Sequence, residues 1–324
     1  MPGTSATNAV VNRSKAGIWL LLILSAVTII SGILIFYWIE LATIQSAYFL
    51  ERPGEIVEET TSSTAKSAAH TTTNVTLKSS SGLAVDMRIK RPAKPSAARL
   101  PVLLIIGGEG TGKRAVDLAD VPDFVAYAAI DYPYSGSRVI RGVGSAVKAI
   151  PAVQQAFLDT PPALMLARLW LVQQPWVDPS RVEIVGVSLG VPFAAAAGAL
   201  DPGFGRVWLI HGGGDNISWI NHALKRHIQN DLVRGAVTRA LYQLVYGNSF
   251  NTSYWVRRTY PRPVVLVAAR DDERVPAAST NAMEALISSE HVELVWTEGR
   301  HIGPGREAEL QQLLDLVVGR IAID

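Results

Sequence analysis

The sequence predicts an α/β fold, a mostly parallel β-sheet with helices on both faces, behind one N-terminal helix able to cross a membrane. Six short apolar runs rich in β-branched residues carry the first part of that reading: PVLLIIG, FVAYAAIDYP, RVEIVGVS, RVWLIHG, PVVLVAARDD and HVELVWTEG. They alternate with longer stretches of helical period, such as PPALMLARLWLVQQ. Strands of a parallel sheet read as near-continuous apolar runs because helices cover both of their faces. The second part rests on residues 16–39, which hold no charged side chain.

Composition bounds the function. With 324 residues, 48% of them hydrophobic, the chain can bury a full core. A net charge of +2 without a basic block gives nucleic acid no electrostatic footing, so no nucleic-acid partner is expected. The absence of cysteine excludes disulfides, cysteine nucleophiles and thiolate metal sites, and fits either redox compartment.

In chain order, residues 1–15 form a short tail and residues 16–39 a transmembrane anchor. At 1.5 Å per residue that span is about 36 Å long, enough for a bilayer core. Trp19 near one end and Phe36, Tyr37 and Trp38 at the other suit the two membrane interfaces. A cleaved signal peptide would carry a shorter apolar region ending in small residues, so an uncleaved signal anchor is expected, with membrane lipid as a partner. Arg13 and Lys15 precede the span and Glu40 and Glu51 follow it, which leaves the tail in the cytoplasm and exports the rest to the periplasmic or extracellular side. Residues 40–73 read as a flexible linker, since EIVEETTSSTAKSAAHTTT shows no hydrophobic period. The globular domain, 74–324, then opens on a β-hairpin, NVTLKSS and LAVDMRIKRP, about the turn Ser81-Gly82.

Ligands of such sheets bind beyond the carboxyl ends of the strands. There RVEIVGVSLG places Gly186-Val187-Ser188-Leu189-Gly190 between a buried strand and the small-residue helix VPFAAAAGAL. A G-x-S-x-G in that setting is a nucleophile elbow, a tight turn in which a side chain at 186 or 190 would collide with the flanking strand and helix. A serine needs a base to take its proton, and the base needs an orienting acid. Later strand ends supply Asp271-Asp272 and then His301, in the order Ser, Asp, His that these sheets use. The other histidines are placed less well: His70 in the linker, His222 and His227 in a polar helical segment, His291 at a strand start. Spacing alone leaves Asp271 and Asp272 open, with Asp215 as an outside third acid.

From about residue 74 to 324 the chain resembles the α/β-hydrolase fold, most closely its dienelactone hydrolase and prolyl-oligopeptidase-like branches. The resemblance is carried by SSSGLAVDMRIKRP, PVLLIIGGEG, IDYPYSGSR, WVDPSRVEIVGVSLG, ARDDERVP and GRHIGPG. It implies Ser188, Asp272 and His301 as catalytic residues, because the family's D-x-x-V-P acid turn aligns with Asp272. It also implies oxyanion donors at the N–H of Leu189 and, in the loop after the first parallel strand, at Gly108 or Glu109. The family often has His-Gly at that strand end where this chain has Gly107-Gly108, which leaves the choice between the last two open.

Several motifs compete with this reading. Gly107, Gly112 and Lys113 match the spacing of a phosphate-binding loop, but Arg114 stands where the magnesium-binding hydroxyl belongs, so no nucleotide is expected. The run HGGGD at 211–215 looks like a lipase oxyanion motif, yet it follows the wrong strand, and its glycines are expected to let the loop pass close to the sheet. His222 and His227, five apart, do not share a helix face, so neither metal nor cofactor is expected. Residues 216–258, with Trp219, Tyr242, Tyr246 and Trp255, read equally as a helical cap over the strand ends or as ordinary packing helices. The resemblance implies a serine hydrolase acting on a small acyl substrate, an ester or thioester. A peptidase of the same fold and a catalytically silent binding scaffold are the other two readings.

Overall fold

The computed structural model describes residues 5–108, 110–137, 139, 141–287, 289–303 and 305–323. The chain divides into two compact units between Thr43 and Ile44. The first is a single helix, α1 (Ser5–Ala42). Its stretch Leu22–Ala42, with mean hydropathy 2.3, is long and apolar enough to cross a membrane.

The second unit is built on one nine-stranded sheet in the order β1-β2-β3-β5-β4-β6-β7-β8-β9. An antiparallel trio, β1 (Ile56–Lys66), β2 (His70–Ser79) and β3 (Ala84–Pro92), leads into β5 (Ala126–Ile130), which pairs antiparallel with β3. From β5 onward the strands are parallel: β4 (Leu100–Ile106), β6 (Val177–Val187), β7 (Val207–Ile210), β8 (Val264–Ala269) and β9 (Val292–Thr297). Each of the six apolar runs is therefore a strand. β5 and β8 are buried at every residue because both of their faces are covered.

α2 (Ser46–Glu51) precedes the strands, α3 (Gly142–Leu171), α4 (Val191–Leu200), α5 (Asn216–Leu224), α6 (Asp231–Leu244), α7 (Thr252–Val256) and α8 (Ala277–Glu284) lie between them, and α9 (Glu307–Ile323) follows the last. On one face Leu313, Val317 and Ile321 of α9 pack with Trp208, Val265 and Val267 of the sheet. On the other, α4 lies flat against the strands, where a Cβ on Gly198 would come within 2.5 Å of Val207. Phe193 of α4 meets Phe157 of α3 edge to face at 5.1 Å. α3 runs through Pro151, Pro161 and Pro162. Each proline removes a helical hydrogen bond, and the buried stripe of Leu164, Leu166, Trp170 and Leu171 offsets that loss.

The stretch expected to be a flexible linker is ordered structure. Residues 56–66 are the edge strand β1, paired with β2 from Ile56↔Ser79 to Lys66↔Thr71. Its Thr and Ser residues suit a pleated strand, and since β1 is exposed along most of its length no face needed apolar residues to mark it. Ahead of it, α2 buries Phe49 against Phe250 and Trp255, with ring centroids 5.8 and 6.3 Å away. The predicted hairpin is β2 and β3, longer at its start than the sequence suggested.

Candidate active site

The residues that converge come from three strand ends. β6 ends at Val187, and the chain turns at once into a 3-10 turn, Ser188–Gly190, and then α4. Ser188 sits at φ 53, a left-handed conformation that a non-glycine residue adopts only under constraint. The two flanking glycines are required by space. A Cβ on Gly186 would stand 2.6 Å from that of Ala194, and one on Gly190 would stand 2.2 Å from the Ile106 carbonyl oxygen.

β8 ends in the acid turn and β9 in the loop that carries His301. The His301 ring is fully buried, with Nε2 2.9 Å from Ser188 Oγ and Nδ1 2.8 Å from Asp272 Oδ2. Asp272 Oδ1 also accepts the N–H groups of Arg274 and Val275, each at 2.8 Å. Burial alone would push the Asp272 carboxyl up. The hydrogen bond and charge of His301, with the two N–H groups, outweigh it and hold the carboxyl below its usual range. Asp271 is exposed, and its N–H is bonded to Gly299 O.

No family model and no curated protein sequence matches the chain. Solved structures do. The chain is similar to acetyl xylan esterase 1 from Thermoanaerobacterium sp. JW/SL YS485, with a TM-score of 0.56 and 14% identity over 82% of this chain and 91% of that one. It is similar to an acetyl xylan esterase from Paenibacillus sp. R4, with a TM-score of 0.57 and 16% identity over 87% and 93%. A third, methylesterase BT1017, gives 0.54 and 17% over 86% of this chain and 63% of that one. The chain has the α/β-hydrolase fold. In that frame Ser188 stands at the turn from β6 into α4, and the turn with Asp272 and the loop with His301 follow β8 and β9.

Other parts of the α/β-hydrolase frame separate the sequence candidates. Gly108 lies beside Ser188, since a Cβ there would be 3.4 Å from that of Ser188. Leu189 directly follows Ser188, and Glu109 lies outside the described residues. Tyr132, at the end of β5, donates to Gly107 O at 2.7 Å. Asp131 beside it accepts Lys113 N–H at 2.8 Å and pairs with Lys113 Nζ at 3.1 Å. The lysine of the phosphate-loop spacing is thus bound to its own chain, and Gly112 (φ 49) is needed because a Cβ would strike Asp131.

The glycines of HGGGD serve close packing against helices and not against the sheet as expected: a Cβ on Gly212 would fall 2.4 Å from Val191 of α4 and one on Gly213 1.9 Å from Ser279 Oγ of α8. Asp215 caps α5, accepting Ile217 N–H at 3.0 Å and Ser218 N–H at 3.2 Å, and so is not the acid on His301. His222 contacts Glu273 O at 3.0 Å and His227 contacts Arg226, so these two histidines are not brought together. Among the described residues His211, Asp272 and His301 have ligand-type atoms within 4.8 Å of one another. Their facing atoms are occupied: His301 bridges Asp272 and Ser188, and His211 Nδ1 accepts Ile302 N–H at 2.9 Å. Helices α5, α6 and α7 occupy the predicted insertion.

Three supporting residues escaped the sequence reading. Glu273 accepts the His301 N–H, and Arg306, ion-paired to Glu273 at 2.8 Å, donates to the His301 carbonyl. Burial opposes ionisation of Glu273, but its bond to Arg306 and the N–H groups it accepts hold its pKa down to about 2. His211 is buried and takes the N–H of the residue after His301, while its Nε2 faces Thr297 Oγ1 at 3.3 Å. Burial, reinforced by the neighbouring His301, lowers its pKa to about 4 and keeps the ring neutral. The one signal in the sequence was that Glu273 and Arg306 lie in the acid and histidine turns themselves.

Proposed function

We propose that the chain is a serine hydrolase, anchored in a membrane by α1, that cleaves a carboxylic ester or thioester through an acyl-enzyme on Ser188. One observation carries the catalytic part: His301 lies within hydrogen-bond reach of Ser188 Oγ on one ring nitrogen and of Asp272 on the other. Ser188 Oγ attacks the acyl carbonyl while His301 Nε2 takes its proton, and the C–O or C–S bond breaks as His301 returns that proton to the leaving group. Water then repeats the sequence and frees the acid. Asp272 holds the imidazole in the tautomer with hydrogen on Nδ1. The N–H groups of Leu189 and of Gly108 or Glu109 stabilise the tetrahedral oxyanion. The names of the structural neighbours, two acetyl xylan esterases and a methylesterase, favour an ester over an amide.

Fluorophosphonate labelling of membrane fractions tests the nucleophile. Ser188 becomes covalently modified and Ser188→Ala abolishes the label; undiminished labelling of the mutant removes the assignment. The anchor is supported by the length of the apolar stretch and by Phe36, Tyr37 and Trp38 near its end, where a signal peptide would carry small residues. Arg13 and Lys15 favour an exported catalytic domain. Full-length chain that stays in carbonate-washed membranes and is cut by protease outside spheroplasts fits both readings. A mature chain lacking α1 would make it a signal sequence, and protection until lysis would reverse the orientation.

A further inference from the structure

Helix α6 is inside out. The residues it buries are Arg234, Thr238 and Gln243, while Leu232 is 86% exposed, Val233 51% and Leu241 38%. Its inner face is held by polar contacts: Arg234 Nε donates to Asn221 Oδ1 of α5 at 3.1 Å, and Asn221 Nδ2 donates to Thr238 Oγ1 at 3.2 Å. Ile217 of α5 is 41% exposed as well. A surface helix normally turns its apolar stripe toward the core, whereas this one leaves the stripe exposed.

Charge indicates which partner. Residues 216–258 contain six Lys and Arg (225, 226, 234, 239, 257 and 258) and one acid, Asp231, which makes +5 in a chain whose total is +2. The remainder of the chain is therefore −3. Lys225, Arg226 and Arg239 are exposed. Connectivity gives the second argument. The N–H of Gln45, three residues along the chain from the last residue of α1, is bonded to Ser249 Oγ in this insertion at 3.0 Å. Three residues of extended chain reach at most about 11 Å.

We propose that the insertion docks on an anionic lipid surface, with the exposed apolar side chains of α5 and α6 entering the interface and Lys225, Arg226 and Arg239 meeting lipid headgroups. Apolar burial combined with basic residues is how interfacial helices hold to anionic bilayers. The inference rests on the anchor proposed above and is independent of the catalytic assignment. It also replaces the picture of a domain held away from the membrane on a flexible tether.

The cysteine-free chain allows a direct test. Full-length protein carrying Leu232→Cys is labelled with a polarity-sensitive fluorophore and reconstituted into phosphatidylcholine–phosphatidylglycerol vesicles containing nitroxide lipids. Ala97→Cys serves as the control, exposed in the loop before β4 at the opposite end of the parallel strands. Quenching is expected at 232 and absent at 97. It should be lost in pure phosphatidylcholine, and in the triple variant Lys225→Glu, Arg226→Glu, Arg239→Glu at low salt. A probe at 232 as unquenched as that at 97 overturns the proposal. So does probe burial that depends on protein density and not on lipid charge, which would make the face a contact between copies of this chain. Carbonate-resistant retention of the same samples reports on the anchor separately, and fluorophosphonate labelling reports on Ser188.

Discussion

The Glu273 carboxylate accepts the backbone N–H of His301 at 3.1 Å, from a position one residue after the acid that holds the same histidine's ring. Arg306 closes the arrangement by pairing with Glu273 and donating to the His301 carbonyl. Main chain and side chain of His301 are thus both tied to one turn. Glu273→Ala should lower kcat with little change in KM, and Glu273→Gln, which keeps an acceptor oxygen, should recover most of it. A Gln variant as impaired as the Ala variant would show that the charge, and not the acceptor, matters.

The same carboxylate makes stability depend on acid. Its pKa in the fold is about 2 against an ordinary value of 4.5, so its contribution is complete above pH 4.5 and is lost as pH falls toward 2. Chemical denaturation followed from above pH 4.5 down to about pH 2 should show a shallower loss for Glu273→Gln than for the parent chain.

The two adjacent acids should separate cleanly. With Oδ1 held by the N–H groups of Arg274 and Val275, Asp272→Asn turns an NH2 group toward His301 Nδ1 in place of the acceptor and should lower kcat by about 10⁴-fold, the loss known when asparagine replaces the acid of a serine triad. Asp271→Asn changes an exposed side chain and should leave kcat nearly unaltered. Equal losses would contradict the geometry.

His211 tests support from behind the histidine loop. Asparagine can offer an acceptor oxygen to Ile302 N–H and tolerates the φ of 50 found here. His211→Asn should therefore retain more activity than His211→Leu, measured as kcat for one ester. Because the buried ring has a pKa of about 4, its stabilising effect is present above the ordinary value of 6.5 and declines as pH falls toward 4. His211→Asn should lack that part of the pH dependence.

Truncation depends on where the second unit starts. Removing residues 1–43 leaves α2 in place and should give a folded domain that still reacts with fluorophosphonate. Removing residues 1–54 also deletes fully buried Phe49, a loss on the order of 3–5 kcal/mol for a large core side chain. That shorter protein should melt far lower or fail to accumulate, and equal Tm values for the two would show α2 to be dispensable.

Sequence by itself determined the parallel core and, with the family resemblance choosing Asp272 over Asp271, singled out Ser188, Asp272 and His301, which the fold brings together. Buried strands such as Val264–Ala269 are apolar on both faces, and the elbow admits only glycine at 186 and 190 because a strand and a helix press on it from either side. Such constraints act on neighbouring residues, so they leave a local pattern. Tertiary structure alone decided the rest. β1 is exposed on both faces along most of its length, so no alternation marked it as a strand. α6 turns its polar residues inward, which periodicity can detect as amphipathic but cannot orient. Arg306, Glu273 and His211 support His301 through hydrogen bonds to its backbone and to that of Ile302, partners that in two of the three cases lie 28 and 91 positions away in the chain. A backbone N–H is the same at almost every residue, so which side chain it will meet is settled only when the strand ends are brought together.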